Sequence, residues 1–172
     1  MNLKEVIKRL ADASGVSGDE NEAAKLALGY LKEFTDDCYI KNNCVFGNFG
    51  KREKGKPHIL LDAHIDQIGF VVTFITDDGF IKIANCGGID RRLLLAQQVK
   101  ILGKKDVYGV ICSIPPHLEK KSDEGKVPKY SDICIDVGMT KEEAEKVISQ
   151  GDKIVFLQKC QDMQGDRISG AA

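Results

Sequence analysis

The sequence contains no tryptophan, and aromatic residues make up 6% of its 172 residues. Rings on which a sugar could stack are therefore scarce, which disfavours a carbohydrate-binding cleft. Neither sign of charge dominates, since 26 Asp and Glu nearly balance 25 Lys and Arg. The formal net charge of -1 gives no general attraction to nucleic acid or to anionic lipid. We expect neither of them as a partner.

Long apolar runs are also missing. No stretch reaches the roughly 20 residues that a membrane-spanning helix needs, and the charged, amphipathic opening lacks the apolar core of a secretory signal. The six cysteines form no C-x-x-C pair, which removes the zinc-ribbon and thioredoxin patterns. We therefore expect a soluble cytoplasmic protein with reduced thiols. Within it, Cys112 and Cys134 should behave as small buried apolar residues.

Two helices are predicted near the N-terminus. Apolar residues recur at helical spacing between Leu3 and Leu10. Ser17 and Glu20 have the spacing of a capping box, which predicts that a second helix opens there. Farther along, Cys44 to Phe46 are consistent with a short strand in a polar, glycine-punctuated region.

After an apolar triplet, the sequence becomes rich in segments that predict β-strands. Ile59 to Leu61 predict a short strand of the kind that α/β sheets bury on both faces. The turn signal Asp77-Asp78-Gly79 predicts a hairpin, and Thr140 with Glu143 predicts a capped short helix. Short strands separated by turns are typical of a small barrel. The six strand candidates are IGFVVTFIT, FIKIA, QQVKIL, VYGVICSI, SDICIDV and DKIVFLQ.

A histidine follows the apolar triplet, two residues before an aspartate. Open α/β sheets place their sites beyond the carboxyl ends of the strands, where His64 lies. Asp66 is placed to accept a hydrogen bond from one ring nitrogen, which would fix the tautomer and raise the basicity of the other nitrogen toward a metal. An isolated H-x-D pattern is also common by chance. From spacing alone, a metal site and an ordinary local hydrogen bond both stay open.

The order of several longer segments favours the metal site over the ordinary hydrogen bond. Together they resemble the tetrahedral or glutamyl-type aminopeptidases, a family of two-metal peptidases of which some members carry the label endoglucanase. The resemblance extends over essentially the whole chain. The matching segments are GVSGDE (15–20), ILLDAHIDQIGFVV (59–72), GGIDRRLLLAQQVKILG (87–103), YGVICSIPPHL (108–118), ICIDVGMTKEEAEK (133–146) and GDKIVF (151–156).

The resemblance implies a fold and a site. The implied fold is α/β: a partial zinc-peptidase-like catalytic domain with an inserted six-stranded β-barrel that serves dimerisation. Residues 1–69 and 163–172 would belong to the catalytic domain, and residues 70–162 to the barrel. His64 would be a metal ligand and Asp66 a catalytic residue that orients it. The implied cofactors are two divalent ions, zinc or cobalt.

The implied activity is metal-dependent removal of N-terminal residues from short peptides by a homodimer or a larger homo-oligomer. In the family, the other metal ligands and the general base follow a segment like GDRISGAA, and here the sequence ends at Ala172. A hydrolytic metal needs about three protein ligands. His58 begins the predicted strand and His117 follows two prolines in a charged loop, so both are poor substitutes. We therefore expect an N-terminal portion that is inactive by itself.

Two alternatives stay open. The chain could be a non-catalytic assembly module that dimerises through its barrel. It could also cleave glycans, which requires two carboxylates across a cleft. Asp62 and Asp66 lie on one short segment, and the sequence does not give the distance between them. The sequence does not define the preferred N-terminal residue of a peptide substrate.

Overall fold

The computed structural model describes residues 2–51, 53–115, 118 and 125–170. The chain divides into two compact units, one made of Met1–Gln67 with Cys160–Ala172 and the other of Ile68–Lys159. Among the described residues, no helix is both long enough and apolar enough to cross a membrane. In chain order the elements are α1 (Leu3–Asp12), α2 (Asn21–Leu31), β1 (Cys38–Lys41), β2 (Cys44–Gly47), β3 (Gly69–Ile75), β4 (Ile81–Cys86), a 3-10 turn (Arg91–Leu93), β5 (Gln98–Leu102), β6 (Asp106–Cys112), β7 (Cys134–Asp136), α3 (Lys141–Val147), β8 (Lys153–Phe156), β9 (Gln161–Asp162) and β10 (Ile168–Ser169).

The first unit carries both predicted N-terminal helices. Helix α1 is capped by Asn2, whose side chain accepts from the backbone N–H of Lys4 at 3.1 Å. Helix α2 is present, but the predicted capping box is wrong. The N-cap is Glu20, and its side chain makes no capping hydrogen bond. The hydroxyl of Ser17 donates instead to Asp66, because the chain turns at Ser17 before the helix begins.

A hairpin of β1 and β2 follows the helices. Lys41 pairs with Cys44, so the connection has two residues. These are Asn42 and Asn43, with φ of 50° and 61°. Two consecutive residues with positive φ form the type I′ turn that suits a two-residue hairpin loop, and asparagine tolerates this conformation. The predicted strand at Cys44 is confirmed, whereas β1 was missed although the Asn-Asn pair signals it.

The apolar triplet does not form the predicted strand. Ile59, Leu60 and Leu61 are 86–90% exposed, and the described residues between Gly47 and Gly69 contain no strand. A strand buried on both faces needs neighbouring strands for its backbone and helices for its side chains. The described residues of the first unit provide neither to this triplet.

The second unit is a closed antiparallel barrel of six strands in the order β3-β4-β7-β6-β5-β8. All six predicted strands are confirmed. Their inward residues form one core, in which Phe70, Ile101, Ile135 and Ile154 are completely buried. Because side chains alternate across a strand, each strand turns one face to this core, and a bulge between Val72 and Phe74 shifts the alternation in β3.

The predicted short helix packs on the same core. In α3, the backbone N–H of Glu143 donates to the Thr140 hydroxyl at 3.3 Å, and the N–H of Thr140 donates to the Glu143 carboxylate at 3.0 Å. This reciprocal capping box is the predicted one and is confirmed. Ala144 and Ile148 belong to the hydrophobic core of the barrel.

Two cysteines face each other in the barrel. Cys112 on β6 pairs with Cys134 on β7, and their sulfur atoms are 3.5 Å apart as free thiols. Both are half-buried rather than fully buried as predicted. Burial, followed by the contact with Cys134, raises the pKa of the Cys112 thiol to about 12.

The raised pKa predicts slow alkylation of Cys112. A thiol reacts as its thiolate, which Cys112 populates only as the pH approaches its pKa. At about pH 8, iodoacetamide should modify exposed Cys44 at least about 100-fold faster than Cys112. Peptide mass spectrometry over a time course measures both rates in one sample. In guanidinium the two rates should converge, and equal rates in the folded protein would contradict the prediction.

Candidate functional site

The segment that carries His64 and Asp66 is docked on the loop after α1. The backbone N–H of Gln67 donates to the Gly15 carbonyl at 2.6 Å. The Gln67 side-chain amide donates to the carbonyls of Ala11 at 2.6 Å and Ala13 at 3.1 Å. These bonds fix the register of the segment against the loop, although the two are about 50 residues apart in the chain.

The loop itself is shaped by small residues and a tight turn. A Cβ on Gly15 would lie 3.2 Å from that of Ala23, so any larger residue would push the loop and α2 slightly apart. Val16 is fully buried, and its carbonyl accepts from the N–H of Asp19 at 2.8 Å. Gly18 supplies the positive φ of 89° that the turn requires. The turn leaves Ser17 exposed.

The imidazole of His64 lies against Asp66. Its Nδ1 atom is 3.0 Å from the backbone oxygen of Asp66 and 3.2 Å from the carboxylate Oδ1. Both oxygens are acceptors, so Nδ1 carries the proton and donates to them. In the neutral ring the lone pair therefore lies on Nε2, the nitrogen left for a metal. The His64 side chain is 75% exposed.

Three donors converge on the carboxylate of Asp66. The Ser17 hydroxyl donates to Oδ2, while His64 lies at Oδ1. Ser17, followed by the backbone N–H of Asp66 and by His64, lowers the pKa of the Asp66 carboxyl below its ordinary value. Asp66 is therefore an ionised acceptor at neutral pH, as the orienting partner of a histidine must be.

The described residues do not form a complete metal site. In the ranges that the structure covers, no three His, Cys, Asp or Glu side chains are grouped to hold a metal ion. His58 is exposed, and His117 lies outside the described residues. His64 could supply one ligand, whereas a hydrolytic metal site uses about three from the protein. The residues therefore fit one position of such a site and do not complete it.

Sequence reasoning missed two residues of this site. It assigned Ser17 to a helix cap, and it gave Gln67 no role. A serine on a glycine-flanked turn is compatible with several hydrogen-bonding roles, and the sequence contains no signal that it meets Asp66. The long-range contact is a property of the tertiary fold.

A comparison with known proteins identifies the family. Residues 43–172 match the family model of the M42 glutamyl aminopeptidases. The chain belongs to this peptidase family, and the resemblance seen in its sequence is confirmed.

Relatives of known name agree with this assignment. The lysyl aminopeptidase of Pyrococcus furiosus is 33% identical over 148 residues, which are 83% of this chain and 42% of that protein. An aminopeptidase from Desulfurococcus kamchatkensis superposes with a TM-score of 0.85 and 36% identity, covering 95% of this chain and 45% of that one. The TET1 peptidase of Pyrococcus horikoshii, which can assemble into a tetrahedron or a large octahedral shell, gives 0.76 and 32%, covering 91% and 47%. The chain thus spans less than half the length of each.

Proposed function

We propose that this chain provides the His64–Asp66 part of a metal-dependent aminopeptidase that removes N-terminal residues from short peptides. The observation that carries the proposal is the hydrogen bond from His64 Nδ1 to Asp66, which leaves Nε2 exposed for a metal in a chain of the M42 family. A cytoplasmic location remains a prediction.

The proposed roles follow from this geometry. Asp66 holds the ring of His64 in one orientation and one tautomer. His64 presents Nε2 as a single metal ligand. The proposed cofactors are two divalent ions, zinc or cobalt, which when bound would supply Lewis acidity for peptide hydrolysis. The remaining ligands and the general base must come from outside the described residues, since these contain no cluster of three.

The domain roles are proposed as well. We assign residues 1–69 and 163–172 to the catalytic domain and residues 70–162 to a dimerisation domain built on the barrel. The assembly of the TET1 peptidase into a tetrahedron or a large octahedral shell supports a homodimer that can enter a larger homo-oligomer. The exposed side chains of Phe74, Tyr108 and Val110 provide apolar contact area on the barrel.

The test is hydrolysis of aminoacyl-p-nitroanilides by the full-length product of the gene. After loading with Zn²⁺ or Co²⁺, we expect p-nitroaniline release that a chelator abolishes. An N-acetylated substrate should resist, because an aminopeptidase requires a free amino terminus. A panel with acidic, basic and apolar residues measures the preference. Absence of chelator-sensitive release from every member would refute the proposal. The 172-residue chain alone should be inactive.

A second candidate is a non-catalytic assembly module. It is favoured by the closed barrel, which forms a compact unit by itself, and by the single ligand among the described residues. Light scattering coupled to size exclusion measures the oligomer. A stable dimer of the full-length product without chelator-sensitive hydrolysis would favour this candidate over the peptidase.

A further inference from the structure

We propose that Ser17 is a positioning residue for the His64–Asp66 pair. Its hydroxyl holds one oxygen of the Asp66 carboxylate, so that the other oxygen faces Nδ1 of His64. The effect of this contact on catalysis rests on the proposed function. The contact itself does not, because it belongs to the metal-free chain.

The two oxygens of Asp66 have separate partners. Oδ2 accepts from Ser17, and Oδ1 lies 3.2 Å from Nδ1 of His64. A carboxylate with one free oxygen can rotate and still bind one donor. With both oxygens engaged from different directions, rotation breaks at least one hydrogen bond. Ser17 therefore restrains the carboxylate, one of the two acceptors of Nδ1; the other is the backbone oxygen of Asp66 at 3.0 Å.

Ser17 is itself held by the fold. Its neighbours Val16 and Gly18 are fixed by burial and by a positive φ, respectively. The Gly15 carbonyl accepts from the N–H of Gln67, the residue after Asp66. The loop and the His-Asp segment are thus joined at Gln67, directly beside the Ser17–Asp66 contact. The serine hydroxyl meets the carboxylate without relying on a long flexible side chain.

A purely stabilising role explains this arrangement poorly. Ser17 is exposed, and its bond to Asp66 is a surface contact. Exposed polar contacts compete with water and contribute little to stability. The contact joins Ser17 to a residue 49 positions away, and that residue is the acid that orients His64. A role in positioning the Asp66 carboxylate explains the contact better.

The test measures the His64 tautomer in the metal-free 172-residue chain by long-range ¹H–¹⁵N NMR. The spectrum is recorded at about pH 9 and the tautomer is determined from the two ring nitrogen signals of His64. The His64 signals are assigned by their loss in His64→Gln. We expect mainly the Nδ1–H form, and Ser17→Ala should lower its ratio to the Nε2–H form at least about 2-fold. Ser17→Thr should retain the ratio. Ser17→Val, which has the shape of the threonine variant but no hydroxyl, should not.

Ser131→Ala is the matched control. The Ser131 hydroxyl also donates to an aspartate, Asp132, at 3.0 Å on the surface of the barrel unit. Its loss should not change the His64 signals. The Thr and Val variants differ only in the hydroxyl, so they decide the question even if Ser17→Ala perturbs the turn.

A second readout uses the metal-loaded full-length product. Ser17→Ala should lower kcat/KM about 5- to 10-fold, below the effect of removing the orienting acid itself, and Ser17→Thr should restore it. An unchanged tautomer ratio in both hydroxyl-free variants would overturn the positioning role, whatever the activity. A shifted ratio in a protein without peptidase activity would support positioning and refute the proposed function.

Discussion

If the proposed function holds, Asp66→Asn is expected to lower kcat/KM of the metal-loaded full-length product for aminoacyl anilides by about 10- to 100-fold. The carboxylate accepts from Nδ1 of His64 at 3.2 Å and keeps the lone pair on Nε2. An amide carries no negative charge and can present its NH₂ group to Nδ1, which would favour the other tautomer. The affinity for the metal should fall in parallel, and titration with a competing chelator measures it.

Asp62→Asn is the matched control for this prediction. It makes the same chemical change four residues earlier on the same segment, at an exposed position. We expect its kcat/KM to stay within about 2-fold, since single surface changes usually have small effects. Equal losses in the two variants would show that the charge of the segment matters and that orientation by Asp66 does not.

Truncation of the barrel core should have the largest effect on stability. Phe70→Ala is expected to lower the free energy of unfolding of the barrel unit by about 3–5 kcal/mol. Phe70 is completely buried and packs edge-on against Phe156, with ring centroids 5.4 Å apart. Its removal loses both the apolar transfer energy and the aromatic contact, and leaves a cavity. Urea unfolding followed by circular dichroism measures the change.

The same strand provides the control. Phe74 is also on β3 but is 58% exposed. Phe74→Ala should change the free energy of unfolding by less than about 1 kcal/mol. If the two variants were equally destabilised, the inward and outward faces assigned to β3 would be incorrect.

The barrel was predictable because its signals are local. Most strands bury apolar residues at every second position, as β4 does with Ile81 and Ile83, and this period indicates the buried face. The box of Thr140 and Glu143 defines the start of α3 through a hydrogen bond between neighbours. The type I′ hairpin at Asn42-Asn43 was equally local and went unrecognised.

The errors arose where one local pattern fits two environments. Ser17 and Glu20 have capping-box spacing, yet the serine hydroxyl is engaged by Asp66. Ile59 to Leu61 are as apolar as a buried strand, yet in the described structure they are exposed. Both outcomes depend on residues far along the chain, which a local pattern does not contain.

The sequence by itself determined the six strands of the barrel, the capped helix α3 and the pairing of His64 with Asp66, because each depends on residues close in the chain. Only the tertiary structure decided that Gln67 joins its segment to the Gly15 loop and that Ser17 reaches the second oxygen of Asp66. The physical reason is that these hydrogen bonds join residues about 50 positions apart, whose approach depends on how the intervening chain folds.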